Sequence, residues 1–166
     1  MTAAEDDPGP QGHHDPTCGG TWPARLALEV EGWMLGGHRA TPAPALVVLR
    51  AQLDATWPDR KRASDGIMGD AAHQSRKSDH NLGNAIDVTA GNGNSLDVGA
   101  LWEAFRRQMS VTPTGRVSYL IFSRRIASPI NRWAWRPYTG PNPHLTHGHL
   151  SIKDAQRAET RPWKLR

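Results

Sequence analysis

Cysteine is almost absent from this chain: Cys18 stands alone among 166 residues. One thiol excludes an internal disulfide framework and any Cys-rich zinc knuckle, and the polar stretch around Cys18 offers nothing to activate it. Long apolar runs are missing too. None approaches the ~18 residues of a membrane-spanning helix, so no membrane insertion is expected. Residues 1–20 are acidic and polar, rich in Pro, Gly and His, where a secretory leader needs a basic start and an apolar stretch. The chain is therefore expected to be made in the cytoplasm and, if it works beyond the membrane, to be delivered by another agent. No internal repeat is present. Hydrophobic residues are scarce at 37%, partly because the polar N-terminal stretch dilutes them.

What remains is enough for one domain with a real core. Seven Trp supply bulky core material, while 16 Gly and 13 Pro imply many loops. The net charge of +4 and a pI near 9.7 favour an anionic partner, nucleic acid or an acidic cell envelope, without choosing between them.

Residues 1–20 are expected to be a disordered tail, with His13-His14 an adventitious metal pair, and residues 21–40 an N-terminal extension in which Leu26, Leu28 and Val30 alternate like a short strand. A helix is expected next, N-capped by Thr41 with Pro42 at its first position, its stripe Ala45, Leu46, Leu49, Leu53 and Trp57 facing the core and Pro58 ending it. A basic, polar loop covers residues 59–79. Ile86 to Thr89 has strand character and places Asp87 on one face. Ser95 is expected to cap a second helix that buries Leu96, Val98, Leu101, Trp102, Phe105 and Met109. Val117 to Phe122 reads as a central strand that turns at Ser123-Arg124 into a paired neighbour, and Thr146 to Ile152 as the last strand. Leu150 and Ile152 are read as not sharing one face, so no clean burial pattern is expected of that strand. Helices and strands mix without β–α alternation, so the fold class is α+β: a small antiparallel sheet flanked by helices. Residues 156–166 are expected to be a C-terminal tail.

Four of the eight histidines fall in two short stretches, Ser78-Asp79-His80-Asn81-Leu82-Gly83-Asn84-Ala85-Ile86-Asp87 and His144-Leu145-Thr146-His147-Gly148-His149. His147 and His149, two apart on a strand, project from one face, and Gly148 between them allows close backbone approach. His80 and Asp87 are seven apart with Gly83 as a turn, a spacing that brings a loop His back beside a strand Asp. Each half alone is common in structural roles. Together with His144 they supply two imidazoles and a carboxylate for one metal ion, with spare imidazoles alongside, which is the inventory of a catalytic zinc site with one open position.

The composite Ser78-x-His80-x-x-Gly83-x-Ala85-x-Asp87 followed by His147-x-His149 resembles the LAS zinc peptidases: lysostaphin-type enzymes, D-alanyl-D-alanine peptidases and the hedgehog fold. It is most similar to the D-Ala-D-Ala carboxypeptidase-like branch of actinobacteria and their phages, as are the runs from Arg62 to Asn81 and from Trp135 to His144. The resemblance spans about residues 42–153 and implies a hedgehog/D-Ala-D-Ala peptidase-like zinc domain over residues 41–155. It implies one Zn2+ held by His80, Asp87 and His149, with His147 and His144 as catalytic imidazoles and Arg76 and Ser78 as substrate-binding residues. It also implies hydrolysis of an amide bond in peptidoglycan stem or cross-bridge peptides by a monomer that reaches the cell wall after phage lysis or as part of a virion. Carboxypeptidases of this group place a Glu or Asp shortly before the last ligand. Here Tyr138 to Gly148 holds no acid, which moves the base role to His147, with His144 beside or behind it. His144-x-x-His147 as the base–ligand pair, with His149 spare, stays open.

Arg76 offers a planar fork for a substrate carboxylate or carbonyl, or is one more solvated cation of its loop. Ser78 either bonds substrate or holds the loop. Asp70 either orients a ligand His or makes a turn, and Trp133, Trp135 and Tyr138 either line a cleft or pack. Two other functions compete. A His-metal nuclease of HNH type fits Asp79-His80-Asn81 and the basic charge but leaves Asp87 and His147-x-His149 without a role, so no nucleic-acid partner is expected. A non-catalytic zinc module fits the missing carboxylate.

Overall fold

A computed structural model describes residues 40–112 and 115–166. The expectations for residues 1–39, among them the tail, its His13-His14 pair, Cys18 and the short strand, lie outside the described residues. The architecture is α+β. Helix α1 (Pro44–Thr56), the single-turn helix α2 (Ala71–Gln74) and helix α3 (Val98–Val111) accompany β1 (Ala85–Thr89), β2 (Val117–Phe122), β3 (Arg125–Ala127), β4 (Arg136–Pro137) and β5 (His147–Ile152). The strands form one antiparallel sheet in the order β1-β5-β2-β3-β4. The apolar run of β2 lies at the centre, as its composition requires. Ser123 and Arg124 turn the chain into β3 with φ of 49° and 61°.

One face of the sheet packs on the main core. Ile86, Val88, Leu120, Leu150 and Ile152 join Leu46, Leu49 and Leu53 of α1 and Val98, Leu101, Trp102 and Phe105 of α3 in a single buried cluster. Leu150 and Ile152 do share this face, because residues two apart on a strand point the same way. The other face carries the small cluster Tyr119, Ile121 and Ile126 with Tyr138, and beside it the histidines.

Both helix starts differ from expectation for local reasons. Ala43, not Thr41, is the N-cap of α1, extended at ψ 129°. A residue before proline is disfavoured in the helical region, so Pro44 rather than Pro42 opens the helix. The Ala43 N–H donates to Gly83 O at 3.0 Å. Asp97, not Ser95, caps α3 by accepting from Ala100 N.

The loop before β1 is tied down by a buried cation. Arg60 is only 2% exposed and pairs with Asp54 at 2.8 Å and Asp65 at 2.6 Å. Asp65 in turn accepts from Thr89 N and Oγ1, both at 2.8 Å. Residues 156–166, set apart by sequence as a tail, pack against the helices. The Trp163 ring is buried with its Nε1 donating to Ala45 O at 2.9 Å, its centroid is 5.6 Å from Phe105, and Arg116 stacks on its face at 4.1 Å.

Candidate metal centre

The site is built from one local hairpin of chain and one strand pairing. Ser78 opens a 3-10 turn over Asp79–Leu82, its side chain accepting from His80 N at 3.3 Å, and Gly83 closes the turn with φ 70°. A Cβ at Gly83 would stand 2.2 Å from Thr41 O, so conformation and space both demand glycine there. The chain then enters β1, where Asp87 sits directly across the ladder from His149, and His149 across from Ile121. Residues opposed in this way share a face, which brings the carboxylate beside the imidazole. The outer side of Asp87 is fixed by reciprocal backbone bonds with Gly66, Asp87 N to Gly66 O at 2.8 Å and Gly66 N to Asp87 O at 3.3 Å.

Three ligand-type atoms converge. His80 Nε2 lies 3.2 Å from His149 Nδ1 and 3.3 Å from Asp87 Oδ1, and His149 Nδ1 lies 3.0 Å from Asp87 Oδ1. Ligands at about 2.0–2.1 Å from a tetrahedral ion stand about 3.3 Å apart, so these separations fit one zinc-sized cation. The far ring nitrogens orient the rings. His80 Nδ1 donates to Ile67 O at 2.9 Å, which leaves Nε2 as the inward nitrogen. His149 Nε2 bonds Ser151 Oγ at 3.0 Å, which turns Nδ1 inward. Carbonyl and hydroxyl partners of this kind orient metal-binding imidazoles. Behind the strand, Trp102 Nε1 donates to His149 O at 2.9 Å, and a Cβ on Gly148 would meet Val98 Cγ1 at 2.7 Å and Trp102 Cε2 at 2.8 Å. The glycine between the two histidines thus permits the close approach expected of it.

His147 and His144 flank this trio. His147 Nε2 is 3.7 Å from Asp87 Oδ2, and the His144 ring lies 4.9 Å from that of His147 and 5.4 Å from that of His149. His144 is 6% exposed and has φ 50°, a strained conformation for a side-chain-bearing residue. It is pinned by His144 N to Asn142 Oδ1 and Ser123 N to His144 O, each 3.0 Å. Burial works against the charged forms in this cluster, yet hydrogen bonds from His149 and His80 hold the Asp87 carboxyl far below the usual range. Burial also opposes charge on His80, but its hydrogen bond to Asp87 and that carboxylate's charge raise it above its ordinary value. Burial, reinforced by His149 and His147, pushes His144 down to about 3. Burial likewise lowers His147, against the pull of Asp87. The trio therefore attracts positive charge, while its two neighbours stay neutral near pH 7 and hold free lone pairs.

The remaining sequence candidates fall outside the cluster. Arg76 is exposed, and its carbonyl accepts from Asn81 Nδ2 at 2.8 Å. Ser78 holds the turn that carries His80. Asp70 accepts from His73 N at the start of α2 and pairs with His73 Nδ1 at 2.7 Å; the His73 ring meets His80 edge-on at 5.2 Å, so Asp70 reaches the site at one remove. Trp133 is core, and Trp135 packs against it while donating to Glu103 Oε2. Tyr138 lies edge-on to His144 at 5.5 Å. Sequence reasoning missed Ser151 and Tyr119, whose ring stacks on His149 at 5.5 Å. Ser151 had a signal, being two residues beyond His149 on the same strand; Tyr119 depends on the β2–β5 register and had none. Comparison with family models, with curated proteins and with solved structures gives no match.

Proposed function

We propose that the chain is a zinc-dependent peptidase that hydrolyses an amide bond in bacterial peptidoglycan peptides, a cell-wall lytic enzyme of endolysin type with a hedgehog/D-Ala-D-Ala peptidase-like domain. The observation that carries the reading is the convergence of His80 Nε2, Asp87 Oδ1 and His149 Nδ1 within 3.3 Å of one another, beside two neutral imidazoles, His144 buried and His147 half-buried. Two nitrogens and one carboxylate oxygen suit zinc, whereas a hard cation wants more oxygens. His80, Asp87 and His149 would hold the ion, which when bound supplies a polarised scissile carbonyl and a water made nucleophilic near neutral pH. His147 Nε2, buried without a hydrogen-bond partner, accepts the proton of the attacking water and returns it to the amine nitrogen of the departing peptide. His144 packs edge-on against His147 and fixes its ring. The wall substrate is supported by the motif resemblance over residues 42–153 and by the net charge of +4, which suits an anionic envelope.

A second reading, a non-catalytic zinc module that binds wall or protein, is favoured by one observation: Tyr138 to Gly148 contains no carboxylate. Turbidity and zymogram assays on actinobacterial peptidoglycan, with and without chelator, separate the two. Lysis that chelator abolishes, and that His80→Ala loses while its circular dichroism is retained, supports the peptidase. Zinc binding without lysis assigns the module, and chelator-insensitive cleavage of DNA sinks both. Mass spectrometry of released muropeptides identifies the bond cut.

A further inference from the structure

Asp87 has two carboxylate oxygens, and the centre described above uses one. Oδ1 faces His80 and His149, while Oδ2 faces His147 Nε2 at 3.7 Å. Two nitrogens of the flanking imidazoles are buried with no hydrogen-bond partner, His144 Nδ1 and His147 Nε2. The other nitrogen of His147, Nδ1, lies 3.3 Å from Thr146 Oγ1, which directs Nε2 inward. Native proteins rarely leave buried polar atoms unpaired, and a bound ion is one way of satisfying them. One ligand atom each from Asp87, His144 and His147 lies within 4.8 Å of the others. The strained backbone of His144, with φ 50°, holds its ring in that position.

We propose that Asp87 bridges two metal sites, and that Asp87, His144 and His147 form a second, weaker site for a borderline transition cation such as Zn2+ or Co2+. Two imidazoles and one carboxylate oxygen select this class over Ca2+ or Mg2+. The site is weaker because its ligand atoms stand farther apart than the ~3.3 Å a tetrahedral ion requires, so side chains must close in on binding. Occupancy engages the lone pair that His147 needs for proton transfer, which makes the two-ion form the inactive one. The inference rests on the metal-centre reading of His80, Asp87 and His149, and only this last consequence rests on the peptidase reading.

Equilibrium dialysis of the full chain against Zn2+, followed by elemental analysis, is the test. The expected result is two equivalents per chain, the second bound at least about tenfold more weakly, given the wider ligand spacing. His144→Asn and His147→Ala each bind one equivalent, and His13→Ala/His14→Ala/Cys18→Ala in the full chain still binds two. With Co2+, filling the second site attenuates the electron paramagnetic resonance signal of the first through the shared carboxylate. Saturation at one equivalent overturns the proposal, as does a second equivalent that survives both His144→Asn and His147→Ala, which marks a surface ion. One equivalent with wall cleavage intact defeats this inference alone. Two equivalents with no cleavage at any zinc concentration defeat the peptidase reading alone.

Discussion

His149 Nδ1 lies 3.0 Å from Asp87 Oδ1 because the two residues oppose each other in the β1–β5 ladder. The orientation of that imidazole depends on Ser151 Oγ, which bonds Nε2 from two residues farther along the strand. Removing the hydroxyl frees the ring to turn and to change tautomer, although Ser151 touches no metal position. Ser151→Ala is expected to lower zinc affinity about 10–100-fold, the usual effect of losing an orienting partner, with little change in the melting temperature of the chelated protein. Competition titration with a chromophoric chelator measures it.

The two neutral imidazoles have separable roles in the proposed reaction. His147 Nε2 faces Asp87 Oδ2 at 3.7 Å, while His144 meets the rings of His147 and His149 edge-on. His147→Ala is expected to retain the first zinc equivalent and to lower the turnover rate about 10²–10⁴-fold, the range for loss of a general base. His144→Asn, which keeps a residue tolerant of positive φ, is expected to cost less. Single-turnover cleavage of a defined muropeptide, with zinc content measured on the same samples, checks both.

Gly148 links the core to the site. Its missing Cβ lets Trp102 and Val98 press against the strand between the two histidines. Gly148→Ala forces either the strand or the Trp102 ring to move, at a cost of about 1–3 kcal/mol for overpacking. Because His147 and His149 are its neighbours, the same shift separates ligand atoms. The expected result is a loss of both stability and zinc affinity, measured by urea denaturation of the chelated protein and by metal titration.

Trp163 makes a parallel case within the same core. A nearly buried indole that bonds Ala45 O and contacts Phe105 should cost about 3–5 kcal/mol when truncated to alanine. Urea unfolding of Trp163→Ala measures it, and an unchanged midpoint would show these last residues to be dispensable.

Trp163 also marks where the sequence stops being informative. A single aromatic in a short basic, proline-bearing stretch has no period, so nothing distinguishes it from a tail. By contrast, His147-x-His149 carries its geometry in its spacing, since a period of two fixes the face. His80 and Asp87 are joined by a turn whose glycine is visible, and the apolar run Val117 to Phe122 announces a central strand. The helix starts were hidden in backbone detail: Ala43 is held extended by Pro44, and Asp97 outcompetes Ser95 because its carboxylate reaches Ala100 N. Arg76 and Ser78 show the opposite limit. Their position in a motif does not reveal that one side chain points to solvent and the other holds the turn under His80.

The buried histidines make the metal-free protein sensitive to acid. His144 has a folded value of about 3 against an ordinary 6.5, so the fold favours its neutral form, and His147 is shifted the same way. A base with a depressed folded value contributes its full share of stability above its unfolded value, and that share is lost as pH falls from about 6.5 toward about 3. Asp87, also depressed, adds a loss at the acid end of this range as it is protonated. His80 has the opposite sign: its raised value stabilises the fold below about 6.5 and gives that contribution up as pH rises through the folded value. The chelated wild type is therefore expected to melt at falling temperatures from pH 6.5 downward, with a shallower slope in His144→Asn. Saturating zinc should raise the melting temperature at neutral pH, because a ligand bound only by the folded state stabilises it, and that gain should shrink in acid as protons compete for the imidazoles and the carboxylate. Differential scanning fluorimetry across pH 4–8, with and without chelator, gives both slopes, and a parallel decline in wild type and His144→Asn would remove His144 as the cause.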